Sequence, residues 1–396
     1  MNSRICNKNN SVKTSPSFGG RFLHLISHFT LLACCAALSS CGGRADEITV
    51  FKAQSGGYKS YRIPAIAVTP KGTVLAFCEG RRFSRSDCGD IDLLLRRSTD
   101  GGRSWGKRIV IRDDGANTCG NPVPIVLADS GRILLLTSWN LGIDTENLIT
   151  GHRSDDTRRI YLNYSDDDGL TWSSPAEITG MVKAAHWSWY ATGPGGAIRI
   201  EKGDYAGRIV VPCNHVEAGA DVSYSHVIFS DDGGITWAIG GSSREPMVNE
   251  CQVTELSGGR LLLNMRNYDR TNTQRQVALS DDGGASWRNQ SFDPALIEPA
   301  CHASIRALAW NSSGSRKAVF FINPASTLAR ENLTLRVSTD ECLSWTASRQ
   351  LHAGPAAYSD IAVLSEKQIG CLYEAGKKNA YERIVFRSID MERLLE

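Results

Sequence analysis

The chain has 396 residues, 41% of them hydrophobic and 22% charged, with a formal net charge of +2. So nearly neutral a chain offers no basic face for nucleic acid, and its composition is that of one large folded domain rather than a disordered or collagen-like one. Past the first 41 residues, no apolar run is long enough to cross a membrane as a helix.

Residues 1–41 differ from the rest. Arg4, Lys8, Lys13 and Arg21 precede an apolar stretch from Phe22 to Leu38, interrupted by His24 and His28. A basic region followed by an apolar one is the order of an export signal. The stretch ends Leu38-Ser39-Ser40-Cys41-Gly42, which resembles a bacterial lipobox, where a cysteine is acylated after the signal is removed. We expect a signal segment over 1–41, a short linker over 42–47 and a lipid tether at Cys41. The protein would then be exported to the cell envelope, in the periplasm or at the cell surface. An ordinary signal peptide with a chance cysteine is the alternative.

Next along the chain, Tyr61-Arg62-Ile63-Pro64 places an arginine at the head of a strand that continues Ala-Ile-Ala-Val68. Gly80-Arg81-Arg82 leads into a polar loop, Phe83 to Gly89, and then a strand from Ile91 to Arg96. That loop carries Asp87, and Asp90 and Asp92 follow it closely.

An octapeptide, Ser-x-Asp-x-Gly-x-(Ser/Thr)-Trp, begins at Ser98 and recurs at Ser165, Ser230 and Ser280. A fifth copy at Ser338 has Cys342 in place of the glycine. The starts lie 67, 65, 50 and 58 residues apart, about the length of one four-stranded sheet with its loops. The predicted fold is all-β, a six-bladed β-propeller over residues 48–396, since some 350 residues hold about six such units. In each box the Asp can accept backbone N–H bonds, the Gly supplies positive φ and the Trp packs back on the sheet. The boxes read as structural braces on the face away from any active site.

Between the boxes lie two further arginines in unexpected settings. Arg266 follows Leu-Leu-Leu-Asn264-Met in an apolar strand, and Arg330 precedes Glu-Asn-Leu-Thr-Leu. A guanidinium in such a strand is costly unless it meets a carboxylate or leads into a wet cavity. With Arg62 they come from three different units, so convergence on one point predicts a clamp for a carboxylate. Eight cysteines follow the leader singly, with no CxxC pair, and the histidines show no zinc spacing. Free thiols packed as small apolar groups are expected, with Cys78/Cys88 or Cys251/Cys301 bridges left open.

Together the Tyr-Arg-Ile-Pro motif, the boxes and the three arginines resemble the propeller-type exo-α-sialidases, or neuraminidases, of bacterial glycoside hydrolase family 33 type. The resemblance extends to Gly80-Arg-Arg82 through Asp92, Asn249-Glu250-Cys-Gln252, Ala357-Tyr358-Ser359 and Gly370-Cys-Leu-Tyr-Glu374, and covers residues 48 to 390. It implies retaining hydrolysis of terminal α-linked sialic acid on glycoproteins, glycolipids and oligosaccharides through a tyrosyl intermediate. Tyr358 would be the nucleophile, Glu250 its base partner and Asp87 the acid/base, with Asp90 and Asp92 as competitors for that last role. Arg62, Arg266 and Arg330 would bind the substrate carboxylate and Glu374 would orient the first of them. Arg82 would meet the sugar's 4-hydroxyl, with Arg81 an equal candidate. Trp139, Trp187 and Trp189 are candidates for an N-acetyl recess. Where some relatives present tyrosines to the glycerol tail, this chain has Pro212-Cys-Asn214-His215. No metal or organic cofactor is implied, and a monomer acting on sialylated glycans is expected. Sialyl transfer, to another sugar or within the substrate, would use the same residues, and a binding propeller without turnover is the remaining alternative.

Overall fold

A computed structural model describes residues 47–219, 222–309 and 317–395. The expected signal segment, Cys41 and nearly all of the linker lie outside the described residues.

The described chain is all-β, built from antiparallel meanders in sequence order. A first strand, β1 (Ile48–Lys52), waits for its partner at the far end of the chain. The first meander is β2 (Ser60–Val68), β3 (Val74–Arg81), β4 (Ile91–Ser98) and β5 (Ile109–Arg112). The second is β6 (Thr118–Val126), β7 (Ile133–Asn140), β8 (Arg159–Ser165) and β9 (Ala176–Glu177). A helix, α1 (Glu146–Thr150), sits in the long β7–β8 connection, and α2 (Thr179–Val182) follows β9. Then come β10 (Trp187–Thr192), β11 (Ile198–Arg199), β12 (Ile209–Glu217), β13 (Ser223–Ser230) and β14 (Ala238–Ser242), followed by β15 (Val248–Glu255), β16 (Leu261–Asn267), β17 (Gln274–Ser280) and β18 (Arg288–Ile297). β19 (Ser304–Ala309), β20 (Lys317–Pro324) and β21 (Glu331–Ser338) pair in that order, and β21 pairs with the first part of the long β22 (Ala347–Ser365). The second part of β22 pairs with β23 (Gln368–Ala375), which pairs with β24 (Arg383–Asp390). β24 finally pairs with β1, Phe386 opposite Ile48, so the last sheet takes its outer strand from the start of the chain.

β2 and β15, each the first strand of its meander, read as continuous or nearly continuous buried runs. β2 is SYRIPAIAV and β15 is VNECQVTE, neither alternating, because both faces of each are covered by neighbouring sheets. The first strands of the meanders touch in a ring, in which β10 and β11 lie one after the other along β12: β2 lies against β6 and β22, β6 against β10, β11 against β15, β15 against β19 and β19 against β22. Between neighbouring sheets the core is filled by clusters such as Phe320, Ile322, Leu335, Ile361 and Val385. Burial on this scale, at about 25 cal/mol per Å² of apolar surface, is the main force holding the sheets together.

Each of the five boxes lies between the third and fourth strands of its meander. In the first, Ser98 Oγ donates to Asp100 Oδ1 (2.7 Å) and accepts from Gly102 N (2.8 Å), while Asp100 takes Ser104 N (2.9 Å) and Ser104 Oγ (2.6 Å). Gly102 has φ +88° and a Cβ there would lie 2.0 Å from Phe386 Cε1. The fifth box keeps the same bonds with Cys342 at φ +64°. Strand direction alternates, so loops at the heads of first strands and the ends of second strands lie at the opposite end from these turns. All eight described cysteines are free, and six of them are buried, so neither bridge left open by the sequence is formed.

Candidate active site

The residues singled out in the sequence come from those opposite ends. Arg62 is in β2 near its start, Glu250 near the start of β15, Arg266 near the end of β16 and Glu374 near the end of β23. Tyr358 lies in β22 where that strand changes sheets, and Arg330 immediately precedes β21.

Tyr358 and Glu250 are in direct contact. The tyrosine hydroxyl donates to Glu250 Oε1 at 2.6 Å, and both side chains are buried. Arg266 Nη1 donates to Glu250 Oε2 (2.6 Å) and to the Tyr358 hydroxyl (3.1 Å). Burial pushes both acids up, and for Tyr358 the adjacent Glu250 charge adds to this and holds the phenol well above its ordinary value. For Glu250 burial is outweighed only by the Arg266 guanidinium together with the hydrogen bonds from Tyr358 and Arg266 and the other groups around it, and the carboxyl is held below its usual range. The pair is therefore phenol and carboxylate, joined by a short bond along which the phenol proton can move.

Two more arginines close on the same ring. Arg62 Cζ lies 5.2 Å and Arg330 Cζ 5.6 Å from the Tyr358 ring centroid. Arg62 Nε donates to Glu374 Oε1 (2.7 Å), which also accepts Ile63 N (2.9 Å), and Glu374 Oε2 accepts Tyr358 N (3.2 Å). Glu374 is fully buried, so it fixes Arg62 and the nucleophile's backbone at once. Arg330 is held by neutral groups alone, the Tyr381 hydroxyl (3.1 Å) and Ala300 O (3.2 Å). Arg62 also rests on the Tyr381 ring, 4.2 Å from its centroid. Three guanidinium groups thus surround one tyrosine, and Arg330, with no carboxylate partner among the described residues, keeps capacity for an incoming anion.

Asp87 sits on the β3–β4 loop with its side chain 83% exposed. It accepts from Arg81 Nη1 at 2.7 Å and lies 3.9 Å from Arg62 Nη1. Desolvation by the surrounding loops raises its pKa, but Arg81 and Arg62 outweigh that and hold the carboxyl below its usual range. Asp90 and Asp92 are turned elsewhere: both accept from Arg82, at 2.9 and 2.7 Å, and Asp92 also takes the Tyr58 hydroxyl.

The two adjacent arginines separate as strand alternation requires. Arg81 is buried against Glu79 (2.9 and 2.6 Å) and reaches Asp87. Arg82 points the other way, to Asp90, Asp92 and Asp113 (3.0 Å). The arginine brought into the cluster is Arg81, and Arg82 is not.

The β7–β8 insertion adds side chains that motif reading missed. Arg158 is buried, donating to Asn121 Oδ1 (2.8 Å), Asn140 Oδ1 (3.1 Å) and Tyr190 O (3.0 Å). Burial lowers its pKa to about 10, with Glu146 partly countering this. Glu146, first residue of α1, is pushed up by desolvation, with Arg158 opposing and the nearby Glu250 and Asp87 charges adding to it. Trp189 lies on Arg158, its ring centroid 4.1 Å from Cζ. Trp139 and Trp187 are buried, the first donating to Asp114 Oδ2 (2.6 Å), the second stacked on His215 at 3.8 Å. Pro212–His215 lie within β12, and His215 and His226 pair through Nδ1 at 3.0 Å.

The sequence profile of the BNR repeat-like domain matches residues 72–371, three quarters of the chain. The sialidase of Micromonospora viridifaciens is 34% identical over 81% of this chain and 50% of its own. The exo-α-sialidase of Aspergillus fumigatus is 30% identical over 86% of each. The chain belongs to the sialidase family. Among solved structures, the sialidase-family chain superposes on Hadza microbial sialidase Hz136 with a TM-score of 0.79 and 28% identity, covering 88% of this chain and 69% of that one. It spans about half the length of the Micromonospora relative and 63% of the Bacteroides fragilis sialidase.

Proposed function

We propose that this chain is a retaining exo-α-sialidase on a six-bladed β-propeller. The propeller reading is supported by the ring of first strands and by the β24–β1 closure. The observation that carries the chemistry is the 2.6 Å Tyr358–Glu250 bond set among Arg62, Arg266 and Arg330.

Sialic acid carries its carboxylate on the anomeric carbon. A carboxylate nucleophile would approach like charge, whereas a phenol approaches neutral and becomes nucleophilic only as its proton leaves. In the proposed first step the Tyr358 oxygen bonds to the anomeric carbon as its proton passes to Glu250. The bond to the glycosidic oxygen breaks, and Asp87 supplies the proton to the leaving alcohol. In the second step Asp87 takes a proton from water, whose oxygen displaces Tyr358, and Glu250 returns the phenol proton. Two inversions give retention. The three arginines bind the substrate carboxylate throughout. Terminal α-sialosides on glycoproteins, glycolipids and oligosaccharides are the proposed substrates, and the lipobox-like sequence at Cys41 supports a membrane tether.

Proton NMR of sialyllactose turnover tests this reading. Free α-sialic acid should appear first. A 2,7-anhydro product or transfer to added lactose would change the reaction while keeping the residues, and saturable binding with no turnover would leave only a lectin.

A further inference from the structure

Beneath Tyr358 lies His302, just before β19 and fully buried. Its ring faces the Tyr358 ring at 5.2 Å between centroids and 23° between planes. His302 Nε2 is 3.0 Å from Pro194 O. A carbonyl oxygen only accepts, so Nε2 carries the proton. Burial pulls the ring's pKa down to about 4, so Nδ1 is the bare nitrogen, and it has no hydrogen-bond partner among the described residues. This imidazole is neutral and pinned at one edge.

The pin is itself well anchored. Pro194 O also accepts from Gln252 Nε2 (3.1 Å), and the Gly193–Gly196 segment passes between side chains of several sheets. A Cβ at Gly195 would lie 2.1 Å from Gln252 Nε2, and one at Gly196 would lie 2.1 Å from Arg306 Nη2. Gly193 at φ +37° and Gly195 at φ +90° hold conformations that favour glycine, so the backbone on both sides of the Pro194 carbonyl is set by this turn.

Ile63, Cys301 and Ala380 pack with the Tyr358 side chain, but the polar groups that meet its hydroxyl and the cations over its ring are all engaged by the proposed reaction. Glu250 exchanges a proton with it, and the arginines turn to the substrate carboxylate. Once the hydroxyl oxygen becomes an ether it no longer donates, and Glu250 holds the proton that it must later return. Something must still hold the ring plane, because a 1 Å error at the reacting atom costs about a hundredfold in rate. We propose that His302 is the positioning residue for the nucleophile: its ring, fixed to Pro194 O, sets the plane from which the Tyr358 hydroxyl faces the sugar through both steps. The inference rests on Tyr358 being the nucleophile.

Trapping with 2,3-difluorosialic acid, whose C2 fluoride leaves as the tyrosine oxygen bonds to C2, followed by intact mass, reads nucleophile placement without the rest of the turnover. His302→Ala should slow trapping and kcat together by about a hundredfold, while affinity for the unsaturated analogue 2-deoxy-2,3-didehydro-sialic acid changes by less than about threefold. His302→Phe keeps a flat face and loses only the N–H, so it should fall between Ala and wild type, and it preserves volume should the Ala variant fold poorly. Ala trapping at the wild-type rate would overturn the proposal. Parallel loss of analogue affinity in the Phe variant would overturn it too, since His302 would then merely hold the whole site together. Wild-type protein that gains no mass, or gains it away from Tyr358, would instead defeat the reading of Tyr358 as nucleophile.

Discussion

The two ends of the strands use the same side chains in opposite ways. At the box end, Asp232 accepts from Ser230 Oγ (2.8 Å), Ile235 N (3.0 Å), Thr236 N (2.9 Å) and Thr236 Oγ1 (2.6 Å), all within four residues. Water reaches this turn, and these bonds bring the carboxyl down to about 2. At the other end Glu374 meets Arg62 across 312 positions and Glu250 meets Tyr358 across 108. Those groups are buried, and each partner removed leaves a charge or phenol that water cannot rescue. A carboxylate that closes its own turn is replaceable; one that joins distant strands around surplus cations is not.

Substitutions at the buried end should therefore produce the largest effects. Tyr358→Phe removes the attacking oxygen and should lower kcat by ~10³-fold or more. It should leave affinity for the unsaturated analogue within several-fold, measured by competition or calorimetry. Full activity in this variant would remove Tyr358 from the chemistry. Asp87→Ala should cost ~10²–10⁴ in kcat on sialyllactose and much less on an aryl sialoside, whose leaving group needs no proton.

Asp87 also carries a pH prediction. Its folded-state pKa is depressed in the free protein by Arg81 and Arg62, and the acid role needs the protonated form. Activity should fall as pH rises through that pKa. A bound substrate carboxylate offsets the charge of Arg62, which raises the Asp87 pKa, so the alkaline limb of kcat should lie at higher pH than that of kcat/KM. Coincident limbs would mean that another group supplies the proton. Next in size, Arg330→Ala removes a clamp cation that has no carboxylate partner among the described residues, so no charge is left unpaired and only the neutral Tyr381 hydroxyl and Ala300 O lose a donor. Analogue affinity should drop about tenfold to a hundredfold, the worth of one or two charged hydrogen bonds, with the melting temperature almost unchanged.

The same contrast explains what could be read from the sequence. The boxes are legible because the hydrogen bonds of their first Ser and of their Asp close inside eight residues. Arg62 and Arg266 are legible because a charge in an apolar strand has few affordable explanations. Whether Arg81 or Arg82 faces the cluster depends on where β3 ends, since one residue of register exchanges the two faces. Glu146 and Arg158 lie in an insertion with no strand period, and what marks them is tertiary: Arg158 reaches Asn121 across 37 positions. The one readable signal was the insertion itself, a long connection between β7 and β8 where hairpins are otherwise short. His302 was seen only as a histidine without metal spacing, because neither Pro194 nor Tyr358 is near it in the chain.

At the box end the effects should be small and confined to stability. Asp232→Ala should leave kcat and KM unchanged and lower the melting temperature by only ~2 °C, the scale of one or two solvent-exposed hydrogen bonds.

Smaller still is the effect expected where the boxes differ among themselves. Cys342 holds φ +64° at the position where the other boxes place glycine at +81° to +91°. A side chain in that region costs about 1 kcal/mol, which Cys342→Gly would recover. The thiol, however, packs beside Trp345 against the Leu296 and Phe321 cluster, and losing about one buried methylene's worth of contact costs a similar amount. The two terms nearly cancel, so calorimetry should find the melting temperature within about 2 °C of wild type. Gly102 has no such freedom, because Phe386 fills the space its Cβ would need. A clear gain in Cys342→Gly would mean that backbone strain outweighs packing in this turn, and a clear loss would mean that the fifth box has come to depend on its sulfur.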